Sequence, residues 1–244
     1  YLTDISQNAS VQSANGLLRI DWESAGSLTS LINEIIRDFP GRFSEEGGVG
    51  VRFLETAGRA VESARIYSQN REFVIEYTTS VCAMRALAHL MGCIACGVEP
   101  ENYEVEASFS SRGVMIDASR NGIPRLETLF LLVRKMTLMG LNRLMLYCED
   151  TYEIPGEPFF GYFRGRYTNT ELSELDNYAA QFGIEVVPCI QTLGHLEQML
   201  KWPAYWHLRD TGSVLLAGEA ATYRFIEQML DAASAPFRSK VIHI

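Results

Sequence analysis

Polar side chains of the types that do chemistry stand at the ends of a series of short apolar runs in this sequence. Asp117 and Arg120 follow the first run, Glu149-Asp150 the second and Gln191-Thr192-Leu193-Gly194-His195 the third, while His243 sits inside the fourth. Carboxylates and imidazoles are the groups most used to move protons near neutral pH. A guanidinium is a planar fork of donors that holds several acceptors at once. Each residue also has a plainer reading. Arg120 could close a surface or interdomain salt bridge, Glu149-Asp150 could be a solvated loop, His195 could be structural, and His243 could be a satisfied histidine of the core. Trp202, Tyr205 and Trp206 follow the third run, where they could stack on a ligand or pack a rim. Cys93-Ile94-Ala95-Cys96 has the spacing of a redox or metal pair, yet no second pair completes a zinc set, so both are read as buried thiols. No metal and no cofactor are expected.

The order of the elements carrying these residues is what would bring them together. Leu28, Leu31, Ile32, Ile35, Ile36 and Phe39 recur at helical spacing after Ser27 and stop at Pro40-Gly41. Short β-rich runs flank them at Leu17 to Trp22, Gly50 to Leu54, Ala64 to Tyr67 and Phe73 to Tyr77, and a second helical pattern from Val81 ends near Gly92. Residues 1–111 thus read as a small α+β domain, a sheet with its helices on one face. From Arg112 onward strands and helices alternate. Val114 to Asp117, Leu144 to Tyr147 and Ile184 to Ile190 read as strands, and Pro124 opens a helix that Gly140 ends. Thr168 and Glu171 make a capping box for a helix ending at Gly183, another helix covers Ala220 to Ala233, and a fourth strand starts at Val241. The third strand is continuously apolar, as a parallel strand buried on both faces should be.

A βαβαβαβ order fits either an open doubly wound sheet or half of an eight-stranded barrel. The first strand-to-helix turn, Asp117 to Gly122, lacks the glycine pattern that wraps a dinucleotide, and no phosphate loop follows any strand, which favours the barrel. A complete barrel takes ~250 residues, so residues 112–244 are expected to hold its first half within a longer enzyme. The absence of an initial Met and the apolar stretch Val241 to Ile244 suit the same expectation.

Composition narrows the partners. The 244 residues are 47% hydrophobic with a mean hydropathy of −0.01, enough for a packed core, and no run approaches the ~18 apolar residues of a membrane span. The start lacks the pattern of a signal peptide. With 21 basic against 30 acidic residues the net charge is −9, and no basic run exists, which disfavours nucleic acid and anionic membranes. Five irregularly spaced cysteines read as free thiols, and the expected location is cytoplasmic.

Four stretches then carry a resemblance. They are Arg112-Gly113-Val114-Met115-Ile116-Asp117-Ala118-Ser119-Arg120, Leu146-Tyr147-Cys148-Glu149-Asp150, Pro188 to His195, and Val241-Ile242-His243-Ile244. In this order and spacing they resemble the first half of the barrel of glycoside hydrolase family 20, the β-N-acetylhexosaminidases. Glu149-Asp150-Thr151-Tyr152 and Gln191-Thr192-Leu193-Gly194-His195-Leu196-Glu197 are most similar to the branch of hexosaminidase D and related bacterial exo-β-N-acetylglucosaminidases. The first domain fits loosely, since the family often carries a small α/β domain before its barrel.

The resemblance implies a retaining exo-glycosidase acting on terminal N-acetylhexosamines, an exception to the usual pair of close carboxylates. The substrate's own acetamido carbonyl attacks the anomeric carbon to give an oxazolinium. An Asp orients that group, and the neighbouring Glu protonates the leaving oxygen. The family places this pair in the pattern His-x-Gly-x-Asp-Glu, whose first two positions match His243-Ile244. The 244 residues alone are therefore expected to be inactive. Arg120 matches the arginine that holds sugar hydroxyls, and His243 and Trp202 are further candidates for binding substrate. Glu149-Asp150 stands where the family usually shows Asp-Asp, and one of the two would hold His195, which would face the acid. Gln191 stands where the common motif has Asp, and an amide cannot raise an imidazole pKa by charge. Homodimerisation is left open. The competing reading, from another class, is a non-catalytic carbohydrate-binding or scaffold protein.

Overall fold

Where the apolar residues recur every second or every third-to-fourth position, the computed structural model places strands and helices accordingly. It describes residues 16–57, 61–100, 103–120 and 122–244. Two compact units divide them: the chain up to Arg112 together with Arg134–Asn142, and Gly113–Val133 together with Arg143–Ile244.

In the first unit, strands β1 (Leu18–Ile20), β2 (Val49–Glu55), β3 (Ser63–Gln69), β4 (Glu72–Tyr77) and β5 (Tyr103–Glu106) form one mixed sheet in the order β1-β2-β4-β3-β5. β1 and β4 lie parallel to β2, while β3 runs antiparallel to β4 and β5. Asn70 and Arg71, both with positive φ, close the tight β3–β4 hairpin, a backbone hand that matches the twist of the paired strands. Trp22, expected in the first strand, instead starts α1 (Trp22–Ala25), because the Asp21 carboxylate accepts from the Glu23 N–H and turns the chain. Helix α2 (Thr29–Asp38) buries Leu31, Ile32 and Ile35. Helix α3 (Ser80–Cys96) is capped by Thr79 and runs through Gly92, where a stop was expected. Its buried stripe continues to Ile94, which offsets the ~1 kcal/mol that a mid-helix glycine costs. The stop falls at Gly97, whose left-handed φ of 65° suits the residue after a helix.

The second unit opens a β/α barrel. Strands β6 (Gly113–Asp117), β7 (Arg143–Tyr147) and β8 (Glu185–Cys189) are parallel neighbours in sequence order. Helix α4 (Leu126–Leu138) starts in this unit, and its last turns count with the first. Helix α5 (Asn169–Gln181) begins at the expected capping box: Thr168 Oγ1 accepts from the Glu171 N–H at 3.1 Å, and Glu171 Oε2 accepts from the Thr168 N–H at 2.8 Å. After β8 come a short helix α6 (Glu197–Leu200), a 3-10 turn over Pro203–Leu208, and α7 (Ala220–Ser234). β8 is buried at four consecutive positions from Val186 to Cys189, the two-sided burial its continuous apolar run predicts. The fourth strand takes the form of a single parallel bridge between Cys189 and His243: the His243 N–H donates to Pro188 O and the Ile190 N–H to His243 O, both at 2.9 Å.

Candidate active site

Strand register puts Asp117, Tyr147 and Cys189 abreast at the carboxyl ends of β6, β7 and β8, the end of a β/α barrel where reacting groups gather. Just past Asp117 the chain turns on that side chain. Asp117 Oδ1 accepts from the Ser119 N–H at 2.8 Å and from its hydroxyl at 2.6 Å, and Oδ2 accepts from Arg120 at 2.5 Å. The guanidinium reaches on to Glu149 Oε1 at 3.2 Å and lies 5.4 Å from the centre of the Tyr147 ring. The Tyr147 hydroxyl donates to the same Glu149 oxygen at 3.1 Å and accepts from the Gln191 amide at 2.9 Å. Three strand ends are thereby tied into one polar row.

Electrostatics follow from these contacts. Burial opposes ionisation of Asp117, but the Ser119 hydrogen bonds and Arg120 outweigh it and hold the carboxyl below the usual range. The Asp117 hydrogen bond, with Tyr147 and Glu149 behind it, raises the Arg120 pKa further, so the fork stays charged. Arg120 remains 62% exposed while Glu149 is only 7% exposed. A cation clamped by two carboxylates thus presents the rest of its donors to solvent.

Asp150 is in a different position. Its side chain is 2% exposed, Oδ1 accepts from Arg164 Nε at 3.2 Å, and Oδ2 has no hydrogen-bond partner. Burial pushes this carboxyl up, and the Arg164 and Lys201 charges oppose the rise. Arg164 also donates to the Ser119 carbonyl, which joins the β7–α5 loop to the turn after β6. Just before Glu149-Asp150 in the chain, Cys148 is a buried thiol that burial pushes up to about 12, too high to supply a thiolate.

The structure brings Arg120, Glu149, Asp150 and Gln191 together. Among the described residues no hydrogen bond joins His195 to Glu149 or Asp150. Both carboxylates take arginines, since a fixed cation competes better for a buried carboxylate than a neutral ring does. His195 is exposed, with a left-handed φ of 56°. His243 is held by its backbone, and its side chain is exposed. Trp202 is half-buried and stacks on Phe159, whereas Tyr205 is buried against Phe225 and is unavailable to a ligand. Cys93 is half-buried and Cys96 exposed, not buried as expected, because the last turn of α3 projects past the core. No group of three or more His, Cys, Asp or Glu among the described residues could hold a metal ion.

Sequence reasoning missed Arg164 and Tyr147. Arg164 stands in a loop without periodicity, and its only signal is a pair of arginines, Arg164 and Arg166, inside an aromatic stretch near an acidic pair. Tyr147 ends a strand whose run looked wholly apolar, although its hydroxyl needed a partner.

Known proteins share both the sequence pattern and the fold. Residues 109–244 match the model of the glycosyl hydrolase family 20 catalytic domain. Beta-hexosaminidase 3 of Arabidopsis thaliana is 32% identical over 154 residues, covering 59% of this chain and 29% of the plant protein. Human hexosaminidase D is 29% identical over 126 residues, covering 50% of this chain and 26% of the human protein. The crystal structure of the GH20 exo-β-N-acetylglucosaminidase from Vibrio harveyi, in complex with N-acetylglucosamine, superposes with a TM-score of 0.70 at 18% identity. That likeness covers 94% of this chain and 43% of the Vibrio chain. The chain therefore spans under a third of these two curated relatives and under half of this solved one. With the family match covering every strand end that carries the polar row, the chain belongs to glycosyl hydrolase family 20.

Proposed function

We propose that this chain supplies the sugar-holding side of the active site of a retaining exo-β-N-acetylhexosaminidase. The enzyme releases terminal N-acetylglucosamine or N-acetylgalactosamine by substrate-assisted catalysis. The observation that carries the reading is the clamp on Arg120, an exposed guanidinium fixed by Asp117 and Glu149 at the carboxyl ends of adjacent barrel strands. Such a fork, charged at every working pH and already oriented, is suited to neighbouring hydroxyls of a pyranose. Asp150 Oδ2, buried without a hydrogen-bond partner, supports Asp150 as the acceptor for the His195 imidazole. The ring would then orient the acid. Gln191 has a role that needs no charge: it fixes the Tyr147 hydroxyl that in turn holds Glu149.

In this reading the acid and the acetamido-orienting Asp follow His243 in the same polypeptide, as the family pattern has them. The five free thiols support a reducing compartment such as the cytoplasm. The test has two parts. The reading frame should continue from Ile244 as Gly-x-Asp-Glu, and the purified full-length product should hydrolyse an aryl N-acetyl-β-glucosaminide with retention of configuration. A frame that continues otherwise, or a full-length product without turnover, sinks the hydrolase reading in favour of a carbohydrate-binding protein.

A further inference from the structure

In the β7–α5 loop the chain turns through Gly161-Tyr162-Phe163-Arg164-Gly165, and every second residue of that turn stands in the left-handed region. The φ values are 66° at Gly161, 63° at Phe163 and 68° at Gly165. Glycine accepts this hand freely, whereas Phe163 holds it at a cost that its surroundings must offset. The Phe163 ring does not explain the cost, because it is 84% exposed and gains little from burial. The next residue does: the turn aims Arg164 inward, with a side chain only 11% exposed.

Two acceptors from different strand ends meet it there. Arg164 Nε donates to Asp150 Oδ1 at 3.2 Å, and Nη2 donates to the Ser119 carbonyl. Asp150 lies past the end of β7, and Gly161 sits so close to its carbonyl that any side chain there would collide with it. Ser119 belongs to the turn after β6, where its N–H and hydroxyl bind Asp117 and the next residue is Arg120. Burial raises the Asp150 carboxyl, and the charge of Arg164, then that of Lys201, opposes the rise. The other titratable groups beside Asp150, Cys148 and Tyr152, stay neutral because burial pushes both up.

We infer that Arg164 is a positioning residue acting through two others: it holds Asp150 in place as the acceptor for the His195 imidazole and pins the turn that aims Arg120 at the sugar. The inference rests on the hydrolase reading above and extends it to a residue that reaches substrate only through its neighbours. One rigid guanidinium serves a carboxylate and a carbonyl at once, which an ammonium on a flexible stem does poorly. It thereby couples the acid side of the site to the sugar-holding side. Without its charge, burial would act on Asp150 with only Lys201 opposing, and the carboxylate would take up a proton at higher pH. A purely structural pair would hold the loop but leave the titration of the site alone.

The test is the pH profile of kcat/KM for cleavage of a β-linked N-acetylglucosamine disaccharide by the full-length enzyme, wild type against Arg164→Gln and Arg164→Lys. Arg164→Gln removes the charge, so the acidic limb should move up by about one pH unit or more, with kcat lowered roughly tenfold on the plateau. Arg164→Lys keeps the charge but not the fork. Its limb should stay within about 0.3 unit of the wild type while KM rises roughly threefold. An unmoved limb in Arg164→Gln, or matching profiles for the two variants, would overturn the inference and leave a structural ion pair. If melting curves show that Arg164→Gln does not fold, Arg164→Lys decides alone: a wild-type limb with raised KM supports the inference, and a displaced limb or a wild-type KM overturns it. A wild-type enzyme that does not cleave the disaccharide removes the hydrolase reading itself and this inference with it.

Discussion

Arg120 is oriented before any ligand arrives, because Asp117, Glu149 and the Tyr147 ring each fix a different part of it. Preorganisation of this kind means that a ligand gains hydrogen bonds without ordering a long side chain. Charge-assisted hydrogen bonds are worth about 1.5–3 kcal/mol apiece, so Arg120→Ala in the full-length enzyme should lower kcat/KM roughly tenfold to a hundredfold. Arg120→Lys should recover little, since an ammonium cannot span Asp117, Glu149 and a sugar together. Steady-state kinetics on a correctly folded variant checks both, and an unchanged kcat/KM would leave Arg120 as a salt bridge only. His195 is tested by leaving group. As an orienting partner of the acid it should matter where the departing oxygen needs a proton. His195→Ala should therefore depress kcat more on a poor leaving group, such as a sugar, than on an activated aryl glycoside. Equal loss on both would place His195 in sugar binding or in the fold, and the contact with Asp150 would be dropped.

Helix α4 bears on stability as well as on the barrel. Its Arg134 meets Asp38 of α2 through two nitrogens at 2.9 and 3.0 Å, with Lys135 at 3.4 Å, and Asp38 is largely buried. The Arg134 hydrogen bond outweighs burial, and with the two cations it holds the Asp38 carboxyl below its usual value. A depressed carboxyl pKa stabilises the fold above the unfolded value of about 4, and that stability is lost as pH falls through the folded pKa. Asp38→Asn should accordingly cost about 1–3 kcal/mol near neutrality, and the cost should shrink as the solution is acidified below pH 4. Denaturant melts at two pH values check this, and a pH-independent cost would show that packing dominates. This ion pair was not legible in the sequence, where 96 residues separate its partners. What was legible depends on local pattern. The capping box at Thr168, the stripe of α2 and the continuous run of β8 are decided within a few residues. The passage of α3 through Gly92 and the charged edge strand β5 were missed because tertiary burial and sheet pairing override local signals there. The candidate site divides the same way. Arg120, Glu149, Asp150 and Gln191 follow strand ends and could be found, whereas Arg164 acts across a loop without periodicity.

At the scale of the molecule, each carboxylate of the polar row is held by an arginine. Glu149 accepts from Arg120 and Tyr147, Asp117 accepts from Ser119 and Arg120, and Asp150 is paired with Arg164. A general acid needs a carboxyl that is protonated at the working pH and within reach of the leaving oxygen. The Ser119 hydrogen bonds and Arg120 push Asp117 the opposite way, and Asp150, whose carboxyl burial raises, is closed off from a leaving oxygen at 2% exposure with Arg164 against it. In the proposed enzyme the row would hold the sugar and leave protonation of the leaving group to another residue. From this we expect the 244-residue chain, expressed alone and purified free of host hexosaminidase, to show no turnover of an aryl N-acetyl-β-glucosaminide above buffer. General acid catalysis contributes about 10²–10⁴-fold by itself, and the acetamido-orienting group adds electrostatic stabilisation of comparable weight, so their joint absence should leave nothing measurable. The control is the full-length product assayed in parallel under the same conditions. Turnover by the short chain that disappears in Asp150→Asn would make Asp150 the acid and reverse the roles assigned to the two halves of the site.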